Sequence, residues 1–163
     1  MTPELMQKIE YSLKEFPELE DQRITVGLVM HSKAHGTAEA QNMVIRLNTR
    51  QRSGMSYFTI GHELTHLLQT PGLGVVPNGE TQCDIFTLAR SGLFLDDMPT
   101  YLNLQCRKTA WKHHAEAVRK LCIQAIEVRK TRRTYIQWLS AAFDDYFGRL
   151  IAAKDGTVVE QAS

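Results

Sequence analysis

The chain has 163 residues, 43% hydrophobic and 23% charged, with a net charge of +1. Those proportions fit one ordinary globular domain of ~100–200 residues and exclude a disordered chain, a collagen-like repeat or a disulfide-dense miniprotein. No apolar run approaches the ~20 residues of a membrane helix, so no membrane partner is expected.

The opening segment carries Glu4, Glu10 and Glu15 and no apolar stretch, so no secretory signal is expected. Thr2-Pro3 reads as a helix cap followed by proline at the first helical position. Leu5, Ile9, Leu13 and Phe16 then recur at helical spacing until Pro17. Residues 23–30 (RITVGLVM) are β-branched and apolar and predict a strand. Gly36 is expected to mark a turn, and residues 42–48 (NMVIRLN) predict a second strand.

Residues 55–69 (MSYFTIGHELTHLLQ) predict a helix packed through Phe58, Leu64, Leu67 and Leu68. Gly61 within it costs ~1 kcal/mol relative to alanine, which implies close packing at that point. A Pro/Gly-rich loop spans 70–79, and a further helix runs over 80–91 before Gly92. Residues 109–129 and 135–150 form two apolar helical stripes, the second carrying Trp138, Phe143, Tyr146 and Phe147. The expected organisation is one domain over 1–151 and a loose tail over 152–163. The aromatic stripe should pack on the core or form a dimer interface.

Charge is unevenly spread. Residues 107–133 hold nine basic and two acidic side chains, a net of +7, whereas residues 1–106 sum to −4. Such a segment either attracts nucleic acid or an acidic partner or forms a solvated helix face. The three cysteines, Cys83, Cys106 and Cys122, cannot all pair and have no C-x-x-C spacing, which suits reduced thiols in the cytoplasm. Cys83 also falls near the motif described next, within possible reach of a metal.

His62-Glu63-Leu64-Thr65-His66 is H-E-x-x-H. On a helix, positions four apart share a face, so both imidazoles can take one Zn²⁺. Glu63 is turned away from that coordination plane yet can reach a metal-bound water, the placement a general base needs. The bland alternative is two solvated surface histidines. A catalytic zinc requires a third protein ligand, and Glu80, Asp84, Asp96, Asp97, His113 and His114 are downstream candidates. Glu80 and Asp84 are one turn apart, so one carboxylate can bind the metal while the other supports a ligand histidine. His114 falls at the edge of its helix's apolar stripe and His113 points outward. Tyr57, Tyr101, Arg90 and His114 are candidate donors to oxyanion charge.

These residues resemble the gluzincin group of zinc metallopeptidases, in which H-E-x-x-H is followed by a glutamate on a second helix. The likeness covers roughly residues 42–99 and extends to compact minigluzincins and to ImmA/IrrE-type peptidases, where the position of Asp84 is often asparagine. It implies a zincin-like fold with a small antiparallel or mixed sheet, an active-site helix and a glutamate helix; together with the two C-terminal amphipathic helices read from the apolar stripes, the expected fold class is α+β, mostly helical. It implies His62, His66 and Glu80 as zinc ligands, Glu63 as the base and Asp84 as the support of a ligand histidine. The strand ending at Leu47-Asn48 resembles the one that pairs with extended substrate in zincins. The absence of a downstream H-x-x-G-x-x-H argues against a metzincin. The expected activity is zinc-dependent hydrolysis of peptide or protein substrates, with latency imposed by the C-terminal segment a further expectation. The alternative is a nucleic-acid- or partner-binding module with a structural or vestigial zinc.

Overall fold

In a computed structural model, the structure describes residues 1–156. Helix α1 (Pro3–Lys14) starts where the Thr2 hydroxyl accepts the Leu5 backbone N–H. Its apolar face, Leu5 and Ile9, is buried. Three strands follow: β1 (Thr25–Val29), β2 (Gly36–Glu39) and β3 (Val44–Asn48). They form one mixed sheet in the order β1-β3-β2, with β1 parallel and β2 antiparallel to β3.

The sheet departs from the sequence reading at Gly36. That residue opens β2 rather than a turn, because the chain doubles back after it and pairs β2 antiparallel with β3. Consequently β3, expected to present its edge to substrate, is the central strand. The edge beside the cleft belongs to β2.

Helix α2 (Tyr57–Leu67) is capped by the Ser56 hydroxyl and by both oxygens of Asp96, which accept the Tyr57 and Phe58 N–H groups at 2.8 and 2.9 Å. A carboxylate at a helix N-terminus satisfies orphan donors and complements the helix dipole. Nine of the eleven α2 residues are buried, since the helix runs between two apolar clusters. Ile60, Leu64, Leu67 and Leu68 join β3 and α1 on one side, and Phe58 joins the C-terminal helices on the other. Gly61 permits that fit: a Cβ there would stand 2.7 Å from the Phe94 ring.

Helix α3 (Glu80–Arg90) crosses α2, and the buried Thr65 and Thr87 hydroxyls bond at 2.8 Å between them. Helix α4 (Trp111–Arg129) packs on α3, and α5 (Tyr135–Lys154) packs on α4 through Tyr135, Leu139, Phe143 and Phe147. The aromatic stripe is therefore covered within the chain. Helix α5 continues through Lys154, past the point where a loose tail was expected to begin. The remainder of that expected tail, 157–163, lies outside the described residues. No helix among the described residues is long and apolar enough to cross a membrane.

Candidate metal centre and cleft

The buried face of α2 that looks toward α3 and β2 carries His62, Glu63 and His66. Their side chains line a cleft of about 570 Å³, together with Lys33 to Ala38, Phe58, Thr59, Glu80, Thr100 and Tyr101. Glu80 arrives from the first turn of α3. Its Oε2 stands 3.0 Å from His62 Nε2 and 3.0 Å from His66 Nε2, and the two Nε2 atoms are 3.1 Å apart. A tetrahedral metal with bonds of ~2.05 Å needs donor separations of ~3.3 Å. The triangle is close to that size.

Proton bookkeeping favours a cation at this point. Asp84, fully buried, receives the Tyr101 backbone N–H on Oδ2 at 2.6 Å and faces His62 Nδ1 with Oδ1 at 2.8 Å. A carboxylate only accepts, so the His62 proton belongs on Nδ1 and Nε2 is bare. A carboxylate oxygen and bare ring nitrogens at ~3 Å repel one another unless a positive charge joins them. In the metal-free chain a proton is drawn to the same place. Burial disfavours charge on His62, yet Asp84, followed by Glu63 and Glu80, holds its pKa above the ordinary histidine value.

His62, His66 and Cys83 also offer donor atoms that all lie within 4.8 Å of one another, so this group could hold a metal ion. Cys83 approaches from a different side. Its sulfur is 3.2 Å from His66 Nδ1, the nitrogen not turned toward Glu80. Burial, reinforced by the surrounding carboxylates, pushes its thiol pKa far up. The oxygen that converges on one point with both histidine Nε2 atoms is Glu80 Oε2, so this second grouping offers two nitrogens and one oxygen.

Glu63 is 5% exposed. Burial, with the Glu80 charge and against the attraction of His62, pushes its carboxyl up to about 7. Strand β2 passes directly over it: a Cβ on Gly36 would fall 2.7 Å from Glu63 Oε1. The His35 carbonyl accepts the Asn48 N–H at 2.8 Å. With Thr37 opposite Arg46 and Glu39 opposite Val44, the odd positions bond toward β3, so the even positions Gly36 and Ala38 direct their N–H and C=O to the free edge. The preceding loop is held by the buried Asn48 amide, which donates to the Ser32 and Ala34 carbonyls at 2.8 and 2.9 Å.

The other candidates lie elsewhere for identifiable reasons. Asp96 caps α2, and Asp97 pairs with Lys108 at 3.0 Å. Arg90 binds Glu18 and lies over the Phe16 ring. Tyr57 faces Lys8 outside the cleft. His114 is turned into the α4–α5 contact, 3.0 Å from the Tyr146 hydroxyl, and His113 is exposed. Tyr101 alone of the four oxyanion candidates lines the cleft, its ring stacked on His62 at 5.8 Å. Among the described residues no part of α4 or α5 lines the cleft. The basic residues of 107–133 are mostly exposed, with Glu116 paired to Arg119 within α4 and Glu127 paired to Lys130 at its end.

Sequence reasoning missed His35, Lys33 and Gln69. The first two sit in a loop without a motif. Gln69 lies three residues after His66, a spacing that could have flagged it. No protein-family model, no curated protein and no solved structure matches this chain.

Proposed function

We propose that the chain is a zinc-dependent peptidase. The observation that carries this reading is Glu63: a buried carboxyl with no hydrogen-bonding partner among the described residues, in the same cleft as three convergent donors and beneath the β2 strand edge. A purely structural metal site has no use for such a group.

His62, His66 and Glu80 would hold the ion, and Asp84 would fix the His62 tautomer. Zinc, when bound, supplies Lewis acidity that brings a water's pKa toward ~7 and polarises a carbonyl. Glu63 takes the proton from the attacking water and returns it to the leaving amine. Gly36 and Ala38 offer an extended peptide one strand's worth of hydrogen bonds, which would lay the scissile bond across Glu63. Tyr101, His35 and Lys33 are among the cleft-wall donors available to developing oxyanion charge.

The test is zinc content and hydrolysis measured on the same preparations. Wild type is expected to bind about one zinc and cleave unstructured protein substrates. Glu63→Gln is expected to keep the zinc and lose cleavage, while His62→Ala and His66→Ala lose the zinc. Unchanged zinc in the histidine variants, or undiminished cleavage by Glu63→Gln, would refute the proposal.

A further inference from the structure

Gln69 lies just past the end of α2, outside the H-E-x-x-H pattern. Its side-chain nitrogen donates to the Pro77 carbonyl at 2.6 Å and to the Gly79 carbonyl at 3.1 Å. Backbone carbonyls only accept, so these two contacts fix which end of the amide is nitrogen. The amide oxygen must then face His66, and Oε1 is 2.8 Å from His66 Nδ1. An oxygen there accepts, so Nδ1 carries the ring proton. That leaves Nε2 bare, pointing at Glu80 Oε2 3.0 Å away.

The second half of the network concerns Glu80 itself. Gly79 precedes it and adopts φ +117°, a conformation favourable only to glycine. The Gly79 carbonyl also accepts the Cys83 N–H, closing the first turn of α3. By holding Pro77 and Gly79, Gln69 pins the end of the ten-residue Pro/Gly loop where the glutamate enters the cleft. One side chain therefore touches both His66 and the backbone that places Glu80.

We propose that Gln69 is a positioning residue that couples the tautomer of His66 to the placement of Glu80. It does for His66 what Asp84 does for His62, and in addition ties the two metal-bearing helices together. The proposal rests on the zinc reading above. Its loss should weaken metal binding through two ligands at once, although Gln69 touches no metal.

The experiment is zinc affinity by chelator competition on four proteins: wild type, Gln69→Leu, Glu80→Ala and the double variant. Thermal melting is followed in parallel, and Gln69→Asn, too short to span both contacts, replaces Gln69→Leu should the latter fold poorly. Gln69→Leu should bind zinc ~10–100-fold more weakly, as expected for loss of a ligand's supporting partner. In the Glu80→Ala background the same substitution should cost markedly less, because the Glu80 part of its effect is already gone. Nitrogen NMR should find His66 protonated on Nδ1 in wild type and in mixed tautomers in Gln69→Leu, a change that packing alone does not produce. Wild-type affinity in Gln69→Leu would overturn the inference while leaving the zinc site standing. Equal losses in the two backgrounds would overturn the coupling. A wild type that binds no zinc would overturn both readings, and that result alone separates failure of the zinc site from failure of the coupling.

Discussion

Replacing Gly36 by alanine tests the chemistry with little disturbance to the fold. The new Cβ would fall 2.7 Å from Glu63 Oε1, 2.8 Å from Cγ and 3.0 Å from Cδ. Comfortable contact begins near ~3.5 Å, so the carboxyl must retreat by roughly 0.8 Å. Glu63 can move, because the clash is with the far part of a flexible side chain and not with backbone. Gly36 has no positive φ, and alanine in a strand gains ~0.5–1 kcal/mol over glycine. Stability should therefore be unchanged or slightly higher. A catalytic group misplaced by ~1 Å costs about 100-fold in rate, equivalent to ~2.7 kcal/mol in the barrier. The assay is hydrolysis of quenched-fluorescence peptides by zinc-loaded protein, with zinc content and melting temperature measured alongside. Gly72→Ala is the control, since a Cβ there meets nothing within 4 Å. Full activity in Gly36→Ala, with zinc retained, would show that the position of Glu63 beneath β2 is irrelevant to the reaction. Loss of zinc would mean that β2 acts on the ligands and not on the base.

Asp84→Ala should weaken zinc affinity by ~10–100-fold without abolishing binding; a loss as complete as that of Glu80→Ala, read by chelator competition, would reverse the two carboxylates' roles. Arg90 binds Glu18 at 2.8 and 3.0 Å, so Arg90→Met should cost ~2 kcal/mol in urea unfolding at neutral pH. Burial would raise the Glu18 pKa, but the Arg90 hydrogen bond and charge outweigh it and hold the carboxyl below its ordinary 4.5. The pair's contribution is thus complete above that value and lost as pH falls through the lower folded value; an Arg90→Met deficit that persists in full near pH ~2 would refute the assignment. Phe143→Ala should cost ~3–5 kcal/mol in thermal or urea unfolding without altering zinc affinity of the folded protein. Faster hydrolysis with no loss of stability would instead mean that α5 restrains the cleft.

The local part of the candidate site was legible because helix geometry is local. Four-residue spacing places His62 and His66 on one face wherever the helix goes, and the same spacing joins Glu80 to Asp84. Gly61 signalled close packing because a helix interior tolerates glycine only at a cost. The amphipathic stripes of α4 and α5 likewise predicted which faces would be buried.

What only the tertiary structure decided depends on contacts between residues far apart in sequence. The chain's periodicity does not determine which histidine nitrogen meets which carboxylate; the crossing of α2 and α3 puts Glu80 on the Nε2 side and Asp84 behind His62. The exchange of β3 for β2 at the cleft edge was hidden because a four-residue strand containing Gly36 has too weak an apolar pattern to announce itself. His114 looked eligible for the site until α5 took up its face. Gln69 had no role until the loop folded back to offer it two carbonyls. Sequence thus determined the candidate donors and the helices that carry them. Packing determined their convergence, since a donor's direction is set by whatever its element is pressed against.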